Sequence, residues 1–168
     1  MTVGKLAIHR GGQTQPSAAP TVQPRLVFAR DDSAGAGKQP GAPERILVVE
    51  DDFLVAMQME SALAEAGFEV VGVAATGEDA VELAITERPR LVVMDVRLAG
   101  DRDGIDTALQ LFAEQGIRCI FATAHQDEQA RRRAAPAVPL GWLQKPYTMP
   151  SLVGMVRHAL SELGKSER

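Results

Sequence analysis

Short apolar runs alternate with amphipathic stretches from residue 45 almost to the end of the 168-residue chain. The apolar runs are rich in Val, Ile and Leu, which is typical of strands that are buried on both faces. The stretches between them place apolar residues three and four positions apart, as a helix with one packed face does. Strict alternation of the two predicts β-α units in which helices cover a parallel sheet.

Five strands and five helices are predicted on this basis. The strands cover residues 46–49, 69–74, 91–95, 119–123 and 141–144, and the helices cover residues 53–66, 78–88, 105–114, 127–135 and 151–163. Gly67 and Gly116 end the first and third helices, and Pro136 forbids continuation of the fourth. The fold class is therefore α/β, with a doubly wound, five-stranded parallel sheet and five helices.

The first 43 residues differ from the rest of the chain in composition. They are rich in Gly, Pro, Ala, Gln and Ser, and Gly or Pro interrupts every stretch that could form a helix or strand. Such a segment buries too little apolar surface to offset the entropy lost on ordering. We predict a disordered extension over residues 1–43 and one folded domain over residues 44–168.

Charge and cysteine content exclude several classes of function. The net charge is −4, and residues 45–168 alone carry −6, which argues against nucleic-acid binding because phosphate contacts need clustered Lys and Arg. The basic run Arg131-Arg132-Arg133 is expected to be a solvated helix face, with a docking patch as the alternative. No apolar run suits a membrane span or a signal peptide, and the single cysteine cannot form an internal disulfide. We therefore expect a cytoplasmic protein without membrane association.

Polar side chains stand where the predicted strands end, and the carboxyl ends of parallel strands meet at one edge of a sheet. These residues are Glu50, Asp51, Asp52, Asp95, Thr123 and Lys145. Clustered carboxylates repel one another unless a hard cation offsets their charge, so we predict a Mg²⁺ site formed by Asp51, Asp95 and a loop carbonyl. Lys145 and Thr123 suit an anionic group on or beside Asp95. The strand that ends in Asp95 does not by itself distinguish this role from a simple turn cap.

These strand-end motifs, in this order and spacing, resemble the receiver domain of bacterial response regulators over residues 45 to about 164. The resemblance implies a flavodoxin-like strand order, 2-1-3-4-5. It implies that Asp95 accepts a phosphoryl group from a sensor histidine kinase or a histidine phosphotransfer protein. It also implies that Mg²⁺, or Mn²⁺, is bound by Asp51, Asp95 and the backbone carbonyl of Arg97, and by Glu50 through water.

The same resemblance assigns roles to residues around the acceptor. Thr123 becomes the switch hydroxyl, and Lys145, followed by a cis peptide, pairs with the phosphoryl group. Trp142 stands at the place of the aromatic switch residue, where Tyr or Phe is commoner, and a plain core residue is the alternative. Arg97 and His125 lie two residues beyond the acceptor and the switch hydroxyl, and we expect both to tune phosphoryl lifetime. A solvated-loop role for His125 is equally open.

Three hypotheses of function follow. The first is a regulatory phosphoacceptor, rather than an enzyme, that dephosphorylates itself and switches the face of its fourth helix, fifth strand and fifth helix. Because only five residues follow the last helical stripe, we expect no output domain but docking to a downstream protein that the sequence does not identify, or use as a phosphate sink. We expect a monomer or a phosphorylation-dependent dimer. The others are a pseudo-receiver that signals without phosphate and a haloacid-dehalogenase-type phosphohydrolase, although Arg97 stands where the latter family has a second Asp.

Overall fold

Five parallel strands form one sheet in the computed structural model, which describes residues 41–124 and 128–166. The strands are β1 (Arg45–Val49), β2 (Glu69–Ala74), β3 (Leu91–Asp95), β4 (Cys119–Thr123) and β5 (Gly141–Gln144). Their order across the sheet is β2-β1-β3-β4-β5. The predicted fold class and strand order are both confirmed. The prediction of a disordered extension falls, up to residue 40, outside the described residues.

Five helices connect the strands or follow them. They are α1 (Phe53–Glu65), α2 (Gly77–Glu87), α3 (Gly104–Gln115), α4 (Glu128–Ala134) and α5 (Met149–Ser166), and a short 3-10 turn (Ala135–Ala137) follows α4. None of the helices in the described part of the chain has both the length and the apolar character that a membrane span needs.

Strand bounds agree with the sequence prediction better than helix bounds do. Four strands have the predicted limits, and β1 begins one residue earlier. Helix α5 begins at Met149 rather than Ser151, because the Thr148 hydroxyl accepts the Ser151 N–H at 3.3 Å and Pro150 occupies the first turn, where no N–H is needed. Helix α4 ends at Ala134, before Pro136 as predicted, and Pro136 lies within the 3-10 turn that follows.

Both faces of the sheet are covered, as a doubly wound fold requires. On one face, Val92 and Met94 of β3 pack in a cluster with Ile105 and Leu111 of α3 and with residues of α2. On the other face, Val93 of the same strand packs in a cluster with residues of α1 and α5. Alternate residues of β3 therefore serve opposite cores, and all five of its residues are buried. The strand is held rigidly on both sides up to its last residue, Asp95.

The loop after β3 is closed by a close approach of two backbone segments. The Gly104 N–H donates to the Val96 carbonyl at 2.9 Å, and a Cβ atom at position 104 would overlap the carbonyl oxygen of Asp95. Only glycine fits this contact. Asp103 precedes it and caps α3, because its Oδ1 accepts the Asp106 N–H at 2.9 Å. The loop is thus anchored at both ends immediately beside Asp95.

Candidate functional site

Three carboxylates meet at the carboxyl edge of the sheet. One side-chain oxygen from each of Glu50, Asp51 and Asp95 lies within 4.8 Å of the other two. Glu50 and Asp95 are only 3% and 7% exposed, whereas Asp51 is open to solvent. The neighbouring central strands β1 and β3 position this cluster, which the sequence predicted from the ends of the same strands.

Lys145 joins the two buried carboxylates. Its Nζ donates to Asp95 Oδ2 at 2.6 Å and to Glu50 Oε2 at 2.8 Å. Burial alone would lower the pKa of Lys145, but its hydrogen bonds and charge attraction to Asp95 and Glu50 outweigh that effect and raise the pKa. The ammonium therefore stays charged. The backbone N–H of Lys145 donates to the Thr123 carbonyl at 2.8 Å, and the predicted cis peptide between Lys145 and Pro146 is present.

Glu50 is held inward by its own neighbours. Besides the bond from Lys145, its Oε1 accepts the Asp52 N–H at 3.3 Å. Burial raises the pKa of Glu50, the hydrogen bond from Lys145 lowers it in part, and the negative charge of Asp95 raises it further. The net pKa lies above the usual value for a glutamate, chiefly because the carboxyl group is buried.

Asp52 separates from the other acidic residues of the first strand end. Its Oδ1 accepts the N–H groups of Leu54 and Val55, at 2.9 and 3.2 Å, and so caps α1. Asp52 thus lies at the strand end, as predicted, but is not one of the three clustered carboxylates. The cluster residues are Glu50 and Asp51 from this segment.

Asp95 and Arg97 are linked through the backbone. Asp95 Oδ1 accepts the Arg97 N–H at 3.0 Å, which leaves the other oxygen to Lys145. The Arg97 side chain is exposed. Two roles of Arg97 remain predictions: its backbone carbonyl as a metal ligand, and its side chain as a modulator of phosphoryl lifetime.

Thr123 lies on β4, the strand beside β3, and Trp142 lies on β5, the next strand of the sheet. Thr123 follows Ala122, the register partner of Asp95, and is 4% exposed. Trp142 is half-buried and stacks on Phe121 of β4 with ring centroids 4.7 Å apart, and the Arg131 guanidinium lies 5.1 Å from its centroid. Trp142 thus packs against the core, and its switch role remains a prediction. The prediction for His125 lies outside the described residues.

The basic run on α4 is exposed and makes ion pairs. Arg132 pairs with Glu128 of the same helix, but Arg133 pairs with Asp103 and Asp106 at the start of α3. All three arginines are exposed, which agrees with a solvated face, and Arg133 in addition contacts two carboxylates at the start of α3.

An apolar surface beside the acidic cluster escaped the sequence analysis. Phe53, Leu54 and Met57 on the first turns of α1 are 75%, 62% and 48% exposed. A cavity of about 450 Å³ lies next to Lys145, between α1 and the start of α5; it is lined by Val55, Gln58, Ala124, Lys145, Pro146, Tyr147 and Met149. The sequence signal was available, since these α1 residues lie off the helix's buried stripe of Ala56, Met59 and Leu63.

The donor set of the cluster fits a hard divalent cation. In proteins Mg²⁺ takes oxygen ligands, usually one or two carboxylates, and water molecules complete its coordination. The cluster offers three carboxylates, and two of them are buried. Lys145 pairs with Glu50 and Asp95, whereas Asp51 is exposed to solvent.

These features define a class of protein. Residues 46–157 match the family model described as the response regulator receiver domain, and the chain therefore belongs to the response regulator receiver family of two-component signalling. Receiver domains are regulatory phosphoacceptors that interact with histidine kinases or phosphotransfer proteins.

Particular relatives extend the comparison. The chain is 36% identical to the transcriptional regulatory protein PdtaR of Mycobacterium tuberculosis over 119 residues, which are 71% of this chain and 58% of that protein. It is 33% identical to the chemotaxis protein CheY of Treponema pallidum over 135 residues, which are 77% of this chain and 92% of that protein. It spans 48% of the phyllosphere-induced regulator PhyR of Methylorubrum extorquens at 30% identity, over 77% of this chain.

Solved structures agree with the fold. The signal receiver domain of a modulated diguanylate cyclase from Desulfovibrio desulfuricans G20 matches with a TM-score of 0.68 and 34% identity, over 76% of this chain and all of that one. The chain spans about half the length of the curated relatives PdtaR and PhyR.

Proposed function

We propose that this chain accepts a phosphoryl group on Asp95 from a sensor histidine kinase or a histidine phosphotransfer protein, in a reaction that requires Mg²⁺ or Mn²⁺. The observation that carries the proposal is the environment of Asp95. Its carboxylate ends a strand buried on both faces, accepts a hydrogen bond from Lys145, and lies within 4.8 Å of two further carboxylates. A turn cap needs neither the lysine nor the other carboxylates.

The transfer follows from the charges at this edge. An oxygen of Asp95 attacks the phosphorus of a phosphohistidine in line, the P–N bond breaks, and the imidazole nitrogen keeps the electron pair. Lys145 turns from the acceptor carboxylate to a phosphoryl oxygen, and the Thr123 hydroxyl donates to another. Asp51, Asp95, the Arg97 carbonyl and, through water, Glu50 would hold the cation, which supplies positive charge to the phosphoryl oxygens when bound.

Removal of the phosphoryl group belongs to the same proposal. Water attacks the acyl phosphate at phosphorus, the P–O bond to Asp95 breaks, and inorganic phosphate leaves Asp95 as a free carboxylate. The domain is therefore a self-acting regulator rather than an enzyme with separate substrates. Arg97 and His125 follow the acceptor and the switch hydroxyl by two residues each, and we propose that they tune the rate of this step. Substituting either residue should change the decay rate of the acyl phosphate, and unchanged decay would contradict the role.

The exposed apolar residues of α1 support a helical phosphodonor. Phe53, Leu54 and Met57 form an apolar surface that begins two residues after Asp51 of the carboxylate cluster. A helix that carries the phosphohistidine can bury its own apolar face there while its imidazole reaches Asp95. Such a contact would bring donor and acceptor together in the orientation that in-line transfer needs.

The output is proposed to pass through the face formed by α4, β5 and α5. Thr123 and Trp142 lie on neighbouring strands, and Trp142 contacts Arg131 of α4, which gives a physical route from the phosphoryl group to that face. We propose that residues 44–168 form this receiver with a disordered extension before it. It acts in the cytoplasm by docking to a downstream protein or as a phosphate sink, as a monomer or a phosphorylation-dependent dimer.

Labelling with a small phosphodonor tests the central step. Acetyl phosphate and Mg²⁺ should yield a phosphoprotein that hydroxylamine cleaves, and chelation of the metal should prevent its formation. Asp95→Asn should abolish labelling, because an amide is not a nucleophile toward phosphorus. Asp101→Asn, which changes an exposed residue of the following loop, is the matched control and should be labelled like the unaltered chain. Absence of labelling with acetyl phosphate, phosphoramidate and a phosphorylated kinase would contradict the proposal.

A further inference from the structure

Helix α4 has little apolar burial to hold it in place. It has seven residues, of which only Ala134 is fully buried, while Ala130 packs partly against the core. A helix of two turns is unstable by itself, so its position depends on contacts with neighbouring elements. Polar contacts therefore carry an unusually large share of the placement of α4.

Arg133 provides a contact of this kind. Its Nη1 lies 2.9 Å from Asp103 Oδ2 and its Nη2 lies 3.0 Å from Asp106 Oδ1, so one planar guanidinium bridges two carboxylates of another helix. Asp103 uses its other oxygen to cap α3. An isolated exposed ion pair contributes little, but a rigid fork that holds two carboxylates loses less freedom on binding.

This contact joins two segments of the chain, the loop that follows Asp95 and the helix that follows Thr123. Asp103 ends the loop that starts at Asp95, and that loop is fixed to the Asp95 backbone by the Gly104–Val96 hydrogen bond and the close approach at Gly104. Helix α4 is the first helix after Thr123. Arg133 thus connects the loop after the acceptor to the helix after the switch hydroxyl.

We propose that Arg133 is a positioning residue that makes the loop after Asp95 and helix α4 move as one unit and holds α4 in its resting place. Loss of the contact frees both segments together. Helix α4 then leaves its resting place more often, and acceptance of phosphate becomes faster. This last step rests on the proposed function, whereas the mechanical coupling does not.

Hydrogen exchange tests the coupling without any phosphorylation. In Arg133→Ala, amide exchange should rise about two- to fivefold both in α4 and in residues 97–103, a range expected from the strength of exposed ion pairs. Arg132→Ala is the matched control, because Arg132 pairs within α4, and it should leave the 97–103 segment unchanged. Faster exchange in α4 alone, or the same effect from Arg132→Ala, would overturn the proposal.

A second variant separates coupling from general damage. Asp106→Asn removes one carboxylate of the contact without touching the α3 cap, and the double variant with Arg133→Ala should show no larger effect than Arg133→Ala alone. Additive effects would mean that the two side chains act independently, which contradicts the proposal. Salt at 0.5 M should speed exchange in the unaltered chain and not in Arg133→Ala. Equal salt responses would contradict it as well.

Labelling by acetyl phosphate then tests the link to the reaction. Arg133→Ala should be labelled about two- to fivefold faster than the unaltered chain, and Arg132→Ala at the unaltered rate. An unchanged rate in Arg133→Ala, with exchange raised in both segments, would overturn the positioning role. If the unaltered chain is not labelled at all, the proposed function fails, while the exchange results still decide the mechanical coupling.

Discussion

At the scale of single residues, the charges around Asp95 do not balance. Glu50, Asp51 and Asp95 bring three negative charges to within 4.8 Å, and Lys145 returns one positive charge. Burial makes the imbalance costly, because Glu50 and Asp95 have little water to screen them. A divalent cation would remove the remaining repulsion, so the folded state should bind it and be stabilised by it.

Magnesium should therefore raise the thermal midpoint. At tenfold above its dissociation constant, a ligand of the folded state alone adds about 1.4 kcal/mol, which is roughly 4–6 °C for a domain of this size. Asp51→Asn should lose most of that shift. Asp52→Ser keeps the α1 cap and lies outside the cluster, so it should retain the shift. Differential scanning calorimetry with Mg²⁺ and with a chelator measures both, and equal shifts in the two variants would contradict a role for Asp51.

At the scale of elements, the junction between β3 and α3 is the most constrained point. Gly104 lies where a Cβ atom would overlap the Asp95 carbonyl, and the same loop end carries the cap of α3 and the contact with Arg133. Strand, loop and helix cannot shift independently there. Asp95 is placed by the backbone around it as much as by its own strand.

Gly104→Ala should destabilise the domain by at least about 2 kcal/mol, because the backbone must move to admit a methyl group. Gly154→Ala is the matched control, since that glycine lies inside α5 with open space around it. It should stabilise the domain by about 0.5–1 kcal/mol. Urea unfolding followed by circular dichroism gives both values. A similar stability for the two variants would show that the β3–α3 junction yields easily.

The elements themselves were largely predictable, and the reasons are local. Strands ended where apolar runs ended, so β2 to β5 had the predicted limits. Helix ends were less predictable, because the sequence does not show which polar residue will cap a helix. Thr148 accepts the Ser151 N–H, and α5 begins two residues earlier than predicted. The cluster at the sheet edge followed from the strand ends. The choice of Asp51 over Asp52 for the cluster was also predicted, but the capping of α1 by Asp52 was not, because the direction of its side chain depends on the turn between β1 and α1.

Contacts between distant helices were beyond sequence reasoning. Arg133 and Asp106 are 27 positions apart, and nothing in either segment indicates the partner. The bond from Lys145 to Glu50 spans 95 positions and was likewise not foreseen. Both depend on how helices and strand ends are placed by the packed core, which is a property of the whole domain.

At the scale of the whole molecule, the sheet separates two cores and seals its central strands. Cys119 in β4 is 1% exposed and packs in the cluster shared with α2 and α3. Burial raises the pKa of its thiol to about 12. In the folded state the thiol is neither accessible to a reagent nor ionised to the thiolate with which the reagent would react.

Cys119 should therefore react with a disulfide reagent only when the domain opens globally. In the folded protein at pH 8 the rate should be lower than in the urea-unfolded chain by a factor close to the unfolding equilibrium constant. Stopped-flow absorbance measures both rates. Rapid reaction under native conditions would mean that β4 opens locally.

The same thiol makes stability depend on pH in one direction. Because the folded pKa lies above the unfolded value of 9.0, the thiol's contribution to folding is full below pH 9.0 and is lost as the pH rises toward 12. The free energy of unfolding should fall over that range, and less so in Cys119→Ala. Urea unfolding of both proteins at pH 8 and pH 10.5 tests this, and parallel declines would contradict it.

The stack of Phe121, Trp142 and Arg131 gives the molecule its own optical signal. Trp142 is the sole tryptophan in the chain, so every photon emitted on excitation at 295 nm comes from this indole. A guanidinium 5.1 Å from its ring centroid and an aromatic partner at 4.7 Å set its emission wavelength and yield. Any shift of α4 against β5 alters both. The unlabelled protein can thus report, in real time and in the presence of any non-fluorescent phosphodonor, whether α4 has moved against β5.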